Sequence, residues 1–84
     1  MPVISRFYGI AIRMYFISSE HNPPHVHAIY GDHVAEITIR DGEVLDGSLP
    51  PKALAMVREW IGLHREELLA VWNSQEFHPV EPLE

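Results

Sequence analysis

Apolar positions recur with the two-residue period of a half-buried strand on either side of Tyr8-Gly9. If these two residues form a tight turn, with Gly9 supplying a positive φ, Phe7 faces Ile10, Ser5 faces Ile12 and Val3 faces Met14. Those residues and Phe16 then share one face, and Arg6, Ala11, Arg13 and Tyr15 share the other. A polar loop from Ile17 to Pro24 ends in Asn22-Pro23-Pro24, a stiff segment lacking two backbone N–H groups. A second hairpin turns at Gly31-Asp32, pairing Tyr30 with His33, Ile29 with Val34 and His27 with Glu36. Val26, Ala28, Ala35, Ile37 and Ile39 form its apolar face, whereas His25, His27, Glu36, Thr38 and Arg40 form the opposite one. The Asp41-Gly42 turn leads into a short strand over 43–46.

From residue 51 to 74 the period changes to that of a helix. Ala53, Leu54, Val57, Trp60, Ile61, His64, Leu68, Val71 and Trp72 fall within an arc about 120° wide. Glu59, Glu66 and Asn73 lie opposite; Pro50 and Pro51 suit a first turn, with Ser48 as the candidate cap. A straight helix over this span would run about 36 Å, against about 23 Å for a seven-residue strand. It must either bend, with Gly62 the obvious weak point, or overhang the sheet with Leu68, Leu69 and Trp72 seeking a partner. Pro79 and Pro82 keep the tail over 77–84 extended, and Val80 and Leu83 are placed to pin it. The expected fold is α+β: an antiparallel meander of about five short strands over 3–46, packed on one long or kinked helix over 51–74, with 1–84 forming a single domain.

Composition narrows the chemistry. With no cysteine among the 84 residues, disulfides, thiolate catalysis and Cys-type zinc sites are excluded; this matches a reducing compartment and the expectation of a cytoplasmic protein. Arg6 and Arg13 interrupt the N-terminal apolar stretch, so neither a spanning helix nor a signal peptide is expected there. The net charge is −6; Arg6 and Arg13 against Glu20 make residues 1–30 +1, leaving −7 for the rest. Bulk electrostatics therefore disfavour RNA, which only a local basic patch would hold. No Gly-rich phosphate loop, nucleophile elbow or DNA-reading helix pattern is present, so the balance leans against an enzyme and leaves the histidine-rich segment as the place to look for catalysis.

The densest signal is His21-Asn22-Pro23-Pro24-His25-Val26-His27. On a strand His25 and His27 point the same way, about 6–7 Å apart. Three readings are open. His25 and His27, with His21 or Glu36 as a third ligand, form a legitimate set for zinc or another divalent metal. The two histidines as acid and base, with Arg13 or Arg6 holding an oxyanion and Tyr15 assisting, form the set that metal-free RNA cleavage needs. Alternatively, His27 pairs structurally with Glu36 across the strands for roughly 0.2–1 kcal/mol, while His21 and His25 brace the proline loop. The Arg, His and Tyr side chains would also suit a protein-binding surface. His64 and both tryptophans are expected in the core, His33 in a turn and His78 in the tail.

Ile4 to Ile10, Ile12 to Tyr15, the HxxPHxHA element from His21 to Ala28, Leu49-Pro50, the Trp60 to Trp72 helix and Val80 to Leu83 together resemble the bacterial domain-of-unknown-function family 4160. The resemblance brings no established activity. Its members are small prokaryotic proteins, often encoded beside another small uncharacterised domain, which implies a toxin–antitoxin-like pair. On that basis the expectation is an interaction or regulatory module acting with a small partner protein or a homodimer, without a cofactor. Its binding residues would be Arg6, Arg13, Tyr15, His21, His25, His27 and Glu36. A histidine-dependent ribonuclease and a His-ligated metal domain are the alternatives.

Overall fold

The structure, a computed structural model, describes residues 3–15 and 23–83. Five strands, β1 (Val3–Phe7), β2 (Ile10–Arg13), β3 (His25–Tyr30), β4 (His33–Thr38) and β5 (Val44–Gly47), form one antiparallel meander in chain order. Two helices follow, α1 (Pro51–Leu63) and α2 (Arg65–Ser74). The α+β architecture is the one the periodicity predicts. The 16–22 part of the proline loop, including Phe16 and His21, lies outside the described residues.

The first turn is as expected, with Phe7 opposite Ile10 and Ser5 opposite Ile12, and Tyr8 joins Gly9 at positive φ. Below it the pairing slips. A bulge between Val3 and Ser5 sets Val3 against Arg13 rather than Met14 and admits Ile4 to the core beside Ser5. The Ser5 hydroxyl, opposite Ile12 as expected, is buried and finds no hydrogen-bond partner among the described residues. The second hairpin keeps the expected register throughout, from Tyr30 opposite His33 to His25 opposite Thr38.

Thr38 keeps the face assigned to it, opposite His25, but is buried there, and Arg40 leaves the strand altogether. Thr38 is buried at the end of β4, where its Oγ1 accepts the N–H groups of Asp41 and Glu43; Arg40 lies in the turn, exposed. Glu43 is held in that turn, so β5 begins one residue later than the sequence pattern places it. Gly47 closes β5 at φ +78°, where a Cβ would stand 2.0 Å from the Val34 carbonyl oxygen. Only glycine fits that approach.

The helical segment bends at His64, not at Gly62. His64 has φ −121° and ψ 21°, and its N–H is shared between the carbonyls of Trp60 and Ile61. Glu66 and Glu67 then occupy the first turn of α2, where acidic side chains complement the helix dipole. Ser48 is not the cap of α1. The carbonyl of Pro50 accepts the first helical bond from Leu54, proline at the first helical position removes one needy donor, and the Ser48 N–H instead extends the ladder to Val34. Arg58 and Arg65 donate to the carbonyls of Gly42 and Ile39, tying both helices to the β4–β5 connection.

Because of the bend, nothing overhangs. Leu68 and Val71 join Trp60, Val57 and Ile61 in the core, with Leu69 and Trp72 packed against it. This removes the overhang as a reason to expect a partner. Val80 is buried and its N–H donates to the Ile4 carbonyl, while Trp60 Nε1 donates to that of Glu81, so the tail is pinned as expected. Among the described residues no helix is long and apolar enough to cross a membrane.

Candidate functional site

Strand alternation sends Val26 and Ala28 into the core and leaves His25 and His27 on the other sheet face. There the ladders align Arg13 on β2, His27 on β3, Glu36 on β4 and Asp46 on β5 in one row across four strands. Arg6 belongs to the neighbouring row, Arg6–Ala11–Ile29–Val34, and is exposed on the outermost strand.

Within the polar row the contacts are diagonal as well as direct. Glu36 sits opposite His27, yet its Oε1 lies 3.6 Å from Nε2 of His25. The expected His27–Glu36 pair therefore exists in register, but the carboxylate leans towards the other imidazole. The two histidine rings are 5.1 Å apart, and Tyr15 meets His27 edge-on at 4.2 Å. Among the described residues, only His25, His27 and Glu36 bring three metal-ligating atoms within 4.8 Å of one another.

The tautomer of His25 follows from its second contact. Its Nδ1 lies 2.9 Å from the Pro23 carbonyl oxygen, which only accepts, so Nδ1 carries the proton and donates. In the neutral ring Nε2 is then a bare lone pair facing the Glu36 carboxylate. Two acceptors at that separation repel unless a proton or a cation lies between them. The Pro23 carbonyl thus fixes the tautomer and orientation of the His25 ring. For His27, burial lowers the pKa below 6.5; Glu36 opposes that shift and His25 adds to it. The result favours the neutral ring, the form that binds metal or accepts a proton.

Arg13 completes the row. Its Nε is buried and finds no hydrogen-bond partner among the described residues, a loss that costs about 1–3 kcal/mol for a buried donor.

Trp72, which the helical stripe places in the core, has a role the sequence does not announce. The bend at His64 brings it over the sheet's end, where its ring stands 5.2 Å from that of His25. A smaller group is equally invisible in sequence: Nδ1 of His64 and of His78 approach the two oxygens of Glu67 at 3.7 and 3.8 Å. It joins the tail to the helix bend. The sequence-predicted set is therefore gathered at Arg13, Tyr15, His25, His27 and Glu36, without Arg6. His21 lies outside the described residues.

No curated protein and no solved structure matches the chain. Residues 9–73, spanning every element from the first turn to α2, match the profile of a domain of unknown function. The chain belongs to that family, DUF4160.

Proposed function

We propose that the protein is a metal-binding domain in which His25 Nε2, His27 and the Glu36 carboxylate hold one divalent transition-metal ion. The observation that carries this reading is Nε2 of His25 facing the Glu36 carboxylate at 3.6 Å, with the opposite ring nitrogen anchored on Pro23 and His27 beside them. Ligands 2.0–2.1 Å from a tetrahedral ion stand about 3.4 Å apart, so this pair needs almost no movement. Two imidazoles and one carboxylate suit zinc or iron(II), and three protein ligands leave at least one coordination position for another molecule. Zinc titration of metal-stripped protein by calorimetry tests the proposal. One equivalent should bind, and His27→Ala or Glu36→Gln should abolish or greatly weaken binding. No heat of binding near neutral pH would reject it.

A metal-free acid–base reading draws on the same residues, favoured by the lowered pKa of His27 and the guanidinium of Arg13 opposite it. RNA cleavage that survives a chelator but is lost in both His25→Ala and His27→Ala would favour it over the metal centre.

A further inference from the structure

We infer that the open position of this metal centre takes a small anionic oxygen ligand, a carboxylate or phosphate group, whose second contact is the Arg13 guanidinium. The inference rests on the metal reading and deepens it by naming the ligand class.

Arg13 stands directly opposite His27 on the adjacent strand, so their side chains emerge side by side on the same face. Its Nε–H is buried and unpartnered among the described residues. A guanidinium presents Nε–H and Nη–H as a rigid fork that fits the paired oxygens of a carboxylate or phosphate. Charge points the same way. A divalent ion with one Glu36 carboxylate leaves +1, and Arg13 adds another +1, in a row whose remaining acid, Asp46, is exposed on the outer strand. Aromatic rings stand beside both imidazoles, Tyr15 against His27 and Trp72 against His25, and such walls strengthen a charged contact by excluding water. The chain's net charge of −6 opposes a polyanion, which favours a small ligand over nucleic acid.

Cobalt(II)-loaded protein provides the test, since its visible absorption changes when a ligand enters the coordination sphere. Inorganic phosphate and acetate are titrated separately into wild type, Arg13→Gln and Arg13→Lys, with circular dichroism confirming each fold. At least one anion should shift the wild-type spectrum saturably, and the tighter of the two identifies the ligand class. Arg13→Gln should weaken that binding about tenfold to a hundredfold. Arg13→Lys, which keeps the charge but loses the fork, should fall between, with cobalt affinity nearly unchanged in both. Equal anion affinity in wild type and Arg13→Gln, or no spectral response to either anion, overturns the inference and leaves the metal site standing. Failure of cobalt and zinc to bind overturns both.

Discussion

Leu68→Ala tests the bend that shapes the site. Leu68 is fully buried on α2, and only a break near His64 brings it into the same core as Trp60 and Val57. Truncating a buried leucine to alanine costs about 2–5 kcal/mol through lost transfer energy and the cavity left behind. Stability of about 0.05–0.15 kcal/mol per residue gives this chain roughly 4–13 kcal/mol in total, so the substitution removes a large share of it. Leu63, on the same helical segment but 66% exposed, is the matched control, and its alanine variant should stay within about 0.5 kcal/mol of wild type. Urea unfolding followed by tryptophan fluorescence reads both. With a slope of about 1 kcal/mol/M for a small chain, the Leu68→Ala midpoint should fall by about 2 M or more at unchanged slope. A straight, overhanging helix would leave both leucines in solvent. Equal midpoints for the two variants would refute the bend and, with it, the position of Trp72 over His25.

Three further outcomes follow from single features. Gly47→Ala, at positive φ and with its Cβ against the Val34 carbonyl, should lose at least about 1–3 kcal/mol in the same assay. Ser5→Ala removes a buried hydroxyl that has no partner among the described residues and should leave stability unchanged or raise it by about 1 kcal/mol. His27 has a folded-state pKa below its unfolded value of 6.5, so the unfolded chain takes up a proton first. Its contribution is intact above that pH, is lost as pH falls towards the folded value, and levels off below it. Urea midpoints of metal-free protein over about pH 5 to 8 should therefore drop on acidification, and less so in His27→Gln.

The strands and their faces were legible because alternation and turn chemistry agree. Gly31-Asp32 and the apolar residues of β3 and β4 allow only one register that buries Val26, Ala28, Ala35 and Ile37 together, and that register puts His25 and His27 on the opposite face, half-buried. The β1 bulge was not legible. Val3 and Ile4 are comparably apolar, so nothing local says which enters the core; packing around Ile4 and the pinned tail decide it. Nor did the wheel locate the bend, because a continuous stripe from Ala53 to Trp72 fits one helix as well as two. The signal lay in charge rather than hydropathy: Glu66 and Glu67 mark a new helix start after His64. For the site, the rows of the sheet were readable, but the lean of Glu36 towards His25 depends on rotamers that the sequence does not encode.

X-ray absorption at the zinc edge of zinc-loaded protein tests the central claim most directly. The spectrum should contain imidazole scattering from two histidines, with nitrogen and oxygen ligands at about 2.0–2.2 Å. Replacing either His25 or His27 by alanine should remove one imidazole. A bound zinc without histidine scattering, or one whose spectrum is indifferent to both substitutions, would contradict the convergence of His25, His27 and Glu36 on a single ion.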